Sequence, residues 1–492
     1  MKRASCLITA ATLSLTATAS ATTLSEKLSA QWARYETAQS ELQNTFPAPV
    51  TRSHWEDLLA LPSEMGLTAH DLEELKLSQE QRIEEAKKKA LASSLIDLDR
   101  LRTLPSAESQ QAIARFCAEM PKGGMLHIHP SGTLKQATVE KLLRQDNPTL
   151  DFGAIITKQK PALTSDEMSF LQAQNTKAAY STLSPDTQKR LMDFYVLPPG
   201  TYPFPRFDVS FQFLGYIMQS DDDYFSVFDD FSARAAKEGV SYVEFTWNIN
   251  PEDFPFLETL TKRIEEKTGI IARFNKAFSR GQPQETLLAQ AQALLSANSP
   301  AVVGIDLLGN ETLTPALERG QAEYTAVVKA NQSGKSHLHL TMHAGELGDP
   351  RNPRDAILLG AERLGHGVKL IDDPVTLEYA VHKKTAVEVN LSSNLKLRAI
   401  DDLKRHPFLK YLRLGIPVSL STDDEGILDT EINQECQVAI QESDVTYAEL
   451  KQMAFNSIDT SFAEPATREK LRERLKESFE RFELSKKQTI AQ

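Results

Sequence analysis

Seven side chains in this sequence have the types and spacing to do chemistry: His127, His129, His343, Glu346, His366, Asp423 and Asp424. His127 and His129 are two residues apart in MLHIHP. On an extended strand such positions project to the same face, so both imidazoles would face one way as a chelating pair for a borderline metal such as zinc. An H-x-H pair alone is more often two hydrogen-bonded core histidines. His343 and Asp423 shift that balance, because each closes a separate apolar run. Three nitrogens and one carboxylate oxygen would hold Zn²⁺ with room for a water, one protein ligand more than the common catalytic pattern.

Proton-transfer candidates sit beside these ligands. Glu346 follows His343 in HAGE, Asp424 directly follows Asp423, and His366 lies between glycines in GHG. Each has a plain alternative: a helix cap, a loop hydrogen bond, a core histidine. Their joint occurrence at ligand-bearing or neighbouring strand ends is what argues for catalysis.

The elements that must position these residues are eight short apolar runs. They are 125–129, 242–248, 270–275, 301–307, 337–343, 363–367, 386–391 and 417–423, separated by helix-length segments. Runs apolar on both faces that alternate with helices predict a parallel sheet, and eight such units predict a (β/α)8 TIM barrel. Barrel enzymes collect catalytic groups at the C-terminal ends of their strands, which is where the seven side chains fall. His337 and His339 share the parity of His343, but His339 would lie about 13 Å deeper at about 3.3 Å per residue, outside one coordination sphere. Both read as structural, and His54, His70, His382 and His406 as ordinary surface or packing residues.

Residues 22–115 read as a helical N-terminal extension and 116–492 as the barrel domain, with a mainly helical insertion over about 135–240 after the first strand. Within the insertion, Asp221, Asp222 and Asp223 read as a helix N-terminal cap in preference to a calcium site. No internal repeat is present.

Composition sets outer bounds. The 492 residues carry a formal charge of −12 without a Lys/Arg stripe, which argues against a nucleic-acid partner. The start, MKRASCLITAATLSLTATASATT, has a basic beginning, an apolar stretch and an A-x-A site ending at Ala21. It reads as a signal peptide over residues 1–21, hence export to a periplasm or the outside, with no membrane partner after cleavage. Cys117 and Cys436 then remain and read as buried small hydrophobes, and nothing in the sequence shows that they pair.

Taken in order, MPKGGMLHIHPSGTL, YVEFTWN, GIDLLGNE, HLTMHAGE, RLGHGVKL, VEVNLSSN and SLSTDDEG resemble the adenosine deaminase family of the amidohydrolase superfamily, over roughly residues 120–430. The leader and helical extension resemble the layout of its secreted, growth-factor-like members. The resemblance implies one Zn²⁺ per chain on His127, His129, His343 and Asp423. It implies Glu346 as proton donor to purine N1, His366 and Asp424 orienting and deprotonating the water with Asp424 also placed to contact N7, and the Gly309 backbone at N3. The substrate would be a purine nucleoside, with adenosine and 2′-deoxyadenosine deaminated to the 6-oxo purine and ammonia. A homodimer through the extension is part of that layout; bracing of the barrel is the alternative. Three positions depart from the family pattern: Ser131 replaces the acid that contacts the ribose, Asn390-Leu391 replaces C-P, and Glu425 replaces a Pro. These bear on the sugar side and the loops, so adenine, a 5′-modified adenosine or another aminated ring remains an alternative substrate. A non-catalytic binding protein would have lost a ligand or proton donor, and all seven are present. The H-x-E and P-C-x-x-C signature of cytidine-type zinc deaminases is absent.

Overall fold

The computed structural model describes residues 22–490 apart from Ser63, Glu64, residues 160–161, Asn175 and Thr314. The expected leader lies outside the described residues. Each of the eight apolar runs forms a strand: β1 (Gly123–Ile128), then, past a small antiparallel pair of β2 (Thr149–Asp151) and β3 (Lys177–Ala179), β4 (Val240–Trp247), β5 (Ile271–Ser279), β6 (Val302–Leu308), β7 (His339–Ala344), β8 (Arg363–His366), β9 (Ala386–Val389) and β10 (Val418–Leu420). The large sheet runs β1-β4-β5-β6-β7-β8-β9-β10, and every neighbouring pair is parallel. The ring is completed past the end of β10. There Ile128 bridges Asp423, and the Asp423 amide donates to the His127 carbonyl at 3.2 Å. The strands are buried on both faces, as in β1 and β9, which explains their unbroken apolar character.

Between β1 and β4 the chain departs from the barrel. Helices Gln136–Asp146, Pro185–Tyr195 and Phe204–Leu214, with the β2–β3 pair, close around their own apolar cluster containing Leu142, Phe152, Tyr195 and Ile217. The next helix, Asp221–Lys237, falls within the span read as insertion but belongs to the barrel. Phe228 and Phe231 pack edge-on against Phe245 of β4, at 5.0 and 5.3 Å between ring centres. Of the three aspartates at its start Asp223 caps it, forming a reciprocal box with Ser220 whose amide donates to it at 2.8 Å, and Asp221 and Asp222 lie in the first turn.

Helices Leu24–Thr45, Arg52–Leu59, Ala69–Ser93, Leu98–Arg102 and Ser106–Glu119 precede the barrel. They are clamped to its outer wall. The indole of fully buried Trp55 donates to Asp355 at 3.1 Å, Arg52 ion-pairs with Glu318 at 2.7 Å, and Arg82 pairs with Glu378. Cys117 and Cys436, expected as buried small hydrophobes with their pairing left open, form a disulfide between helices Ser106–Glu119 and Ile432–Glu442, with 5.9 Å between their Cα atoms. Their 319-residue separation hid the pairing, since only the assembled barrel brings the two helices together. Among the described residues no helix is long and apolar enough to cross a membrane.

Replacing both cysteines with alanine should lower the unfolding free energy by about 2–4 kcal/mol. Denaturant titration of the variant beside the oxidised and reduced parent measures this. Equal stabilities would mean that the bond contributes nothing.

Candidate active site

Four strand ends deliver the side chains singled out from the sequence to one point. The imidazole Nε2 atoms of His129 and His343 lie 3.3 Å apart, and Asp423 Oδ1 lies 3.3 Å from His129 Nε2 and 3.6 Å from His127 Nε2. The far side of two rings is already committed. His127 Nδ1 lies 2.8 Å from Glu388 and His343 Nδ1 lies 3.0 Å from Asp306. Ionised carboxylates only accept, so these Nδ1 atoms carry the protons and the Nε2 lone pairs point inward. His127 Nε2 is buried without a hydrogen-bond partner. Converging lone pairs are unfavourable unless a cation is shared, and three imidazoles plus a carboxylate fit a borderline divalent ion such as zinc.

Two of the non-glycine residues with left-handed backbone lie here. His366 and Asp423 both adopt left-handed backbone, at φ 64° and 61°, a conformation that costs a non-glycine residue about 1–3 kcal/mol. Two glycines are required by close approach. A Cβ on Gly132 would sit 1.7 Å from the Asp424 carboxylate, and one on Gly365 would sit 2.8 Å from the His127 ring.

The carboxyls divide into two kinds. Burial favours the neutral form of Asp423, but hydrogen bonds from His127 and His129 outweigh it and hold Asp423 well below the usual range. Ser393 also donates to it at 2.7 Å. Glu346 is pushed well above the carboxylate range by burial, then by Asp423 and Glu311. Asp424 is pushed up by burial and by its neighbour Asp423. Glu311 accepts from the amides of Gly345 and Glu346 at 2.9 and 3.1 Å, fixing the turn that aims Glu346 inward. Buried, and facing the histidine cluster, His366 is held well below the usual imidazole value.

Above this floor lies a cavity of about 570 Å³. Ser131 and Gly309 line it as expected, and the insertion contributes Phe204, Phe207 and Phe211 to its wall. His337 is exposed and His339 stacks on Phe462 at 4.6 Å beside Glu362, both away from the site. His406, read as a surface or packing residue, is a packing one. It is buried behind the site, with Nε2 3.0 Å from Asn394 Oδ1, and Asn394 Nδ2 lies 2.9 Å from His366 Nδ1. Glu388 and Asp306 were also overlooked, although a lone acid inside an apolar strand (AVEV, VVGIDLL) is itself a signal, since an interior charge needs a partner.

These features define a metal-site hydrolase of the amidohydrolase type on a (β/α)8 barrel. The family model described as Adenosine deaminase matches residues 176–478, and the chain belongs to the adenosine deaminase family. The match begins within the insertion, so β1 and its two histidines lie outside it. An adenosine deaminase of Enterococcus faecalis is 26% identical over 304 residues, 60% of this chain and 88% of the relative. An adenine deaminase structure from Arthrobacter aurescens superposes with a TM-score of 0.55 at 22% identity, covering 73% of this chain and 99% of that one. An amidohydrolase structure from Burkholderia ambifaria with bound Zn gives a TM-score of 0.55 at 21% identity, covering 77% and 94%.

Glu388→Gln should weaken metal binding by about 10–100-fold, because the charged acceptor behind His127 is lost. Competition against a chromogenic chelator reads this directly, and unchanged affinity would remove Glu388 from the metal site. Burial also lowers His406 to about 3. The unfolded chain therefore takes up a proton below about pH 6.5 that the folded chain refuses, and stability falls with decreasing pH between these values by up to about 1.4 kcal/mol per unit. His406→Gln should flatten that slope in denaturation curves collected from pH 7 to pH 4; an unaltered slope would show that His406 does not titrate in this way.

Proposed function

We propose that the chain is an exported zinc-dependent adenosine deaminase that hydrolyses adenosine and 2′-deoxyadenosine to the 6-oxo nucleoside and ammonia. One observation carries the reading: Glu346, a buried carboxyl with raised pKa, and Asp424 flank a cluster of three histidines and Asp423 on the floor of the cavity. His127, His129, His343 and Asp423 would hold the ion, which when bound supplies a Lewis acid that makes water nucleophilic near neutral pH. Glu346, neutral at that pH, can donate a hydrogen bond to purine N1 and draw electron density from C6. A cation held by Asp423 and the histidines would draw the neighbouring Asp424 back to its ionised form, in which it can accept a proton from the attacking water, and its position on the cavity wall also suits a contact to purine N7. The insertion's phenylalanines keep bulk water from the reacting ring.

The cavity of about 570 Å³ is larger than a bare purine needs and so favours a nucleoside over adenine. Ser131 at its wall offers a hydroxyl in place of the family's ribose-contacting acid. Export is supported by the leader sequence and by the buried disulfide, a bond that persists in oxidising compartments.

Ammonia release should be measured across adenosine, 2′-deoxyadenosine, adenine, AMP and cytidine, together with metal content on the same sample. Adenosine and its deoxy form should be the preferred substrates; inert adenosine in zinc-loaded protein would end this reading. Glu346→Gln keeps the shape but lacks the acid, and should cut kcat by about 10²–10⁴-fold at unchanged zinc content. Near-parental turnover would take Glu346 out of its assigned role.

A further inference from the structure

A hydrogen-bonded chain runs from behind the barrel wall into the site, and its direction can be read from one end. It starts at the backbone amide of Phe408, which can only donate, and which lies 3.2 Å from Nδ1 of His406. His406 Nδ1 is therefore an acceptor, and the proton of this buried neutral ring is on Nε2. That Nε2–H faces Asn394 at 3.0 Å, so the Asn394 atom there must be the carbonyl oxygen. The other half of the amide, its NH2, is left pointing at His366 Nδ1, 2.9 Å away. Asn390 adds a second amide NH2 at 3.3 Å from the same nitrogen. Two donors aimed at His366 Nδ1 require that it carry a lone pair. The proton of neutral His366 is thus on Nε2, the nitrogen lying 3.9 Å from Asp423 Oδ2 and 4.0 Å from Glu346 Oε2 on the cavity side.

We propose that His406 and Asn394 are positioning residues that lock the tautomer of His366, so that His366 meets the reacting oxygen as a hydrogen-bond donor and not as its base. The family resemblance shares deprotonation between His366 and Asp424. A ring already protonated on its cavity-facing nitrogen cannot accept a proton there. The water's proton therefore goes to a carboxylate of the site and not to His366. The Nε2–H of His366 holds the oxygen in line for C6 and stabilises the negative charge that develops on it. The left-handed backbone of His366, at φ 64°, serves this arrangement by turning the ring so that Nδ1 faces the two asparagines.

The catalytic consequence rests on the deaminase reading, but the tautomer does not. Metal-loaded protein labelled with ¹⁵N-histidine should give a His366 signal with Nδ1 unprotonated and Nε2 protonated, assigned by its absence in H366N. In N394D the carboxylate can only accept, so His366 Nδ1 should gain a proton. Its kcat should then fall on the order of 100-fold or more, with KM within about threefold and zinc content unchanged. H406Q retains an amide N–H for Asn394 and should keep the parental tautomer and most of kcat, whereas H406L should lose both. A protonated Nδ1 in the parent overturns the proposal, as does an N394D or H406L protein that keeps the Nε2–H form. Should no purine be deaminated, the ¹⁵N spectra still decide the tautomer, so the two readings fail separately.

Discussion

The closing contact of the barrel is also part of its chemistry. The last strand end meets the first through the Asp423 amide and the His127 carbonyl, and both residues turn their side chains to the same ion site. If the barrel did not close, His127 and Asp423 would be nearly 300 residues of chain apart with nothing to bring them together. If they had no cation to share, the closing point would hold a buried, unpartnered imidazole nitrogen and a strained aspartate. Fold and site are therefore conditions for each other, and the left-handed turn at Asp423 is tolerated because the ring fixes it from both sides.

That dependence extends inward through a charged barrel core. Arg363 donates to Glu388 at 2.6 Å and also pairs with Glu244, while its guanidinium lies over Phe462. Glu388 in turn receives His127. Burial alone would raise the Glu388 carboxyl, but Arg363 and His127 keep it below its usual value. A row of charges in place of branched apolar side chains sacrifices packing stability for orientation, since buried ion pairs seldom repay their desolvation but do specify geometry.

Much of this was legible in the sequence because the barrel's periodicity and the site's residue types coincide. Eight apolar runs gave eight strands, and the polar residues at their ends met in one place. The hidden parts share a physical reason. His406 and Cys436 lie on segments whose local pattern is ordinary, and their partners are 12 and 319 residues away through a tertiary contact. The helix Asp221–Lys237 read as insertion because it follows a long excursion, and only its Phe228 and Phe231 contacts place it on the barrel. Ser131 shows the opposite limit: its location was foreseen, yet a hydroxyl at a cavity wall leaves the choice of sugar open.

The Cys117–Cys436 bond encloses every barrel strand and every side chain assigned to the site, from Gly123 to Asp424, in one covalent loop. Tension applied at the two ends of the chain would pass from helix Ser106–Glu119 to helix Ile432–Glu442 across the sulfurs and leave the strands between them unloaded. A single cut in the insertion would likewise leave two fragments tethered around one ion site. The molecule is in this sense a ring with two tails, and damage that opens an ordinary linear barrel would only nick this one.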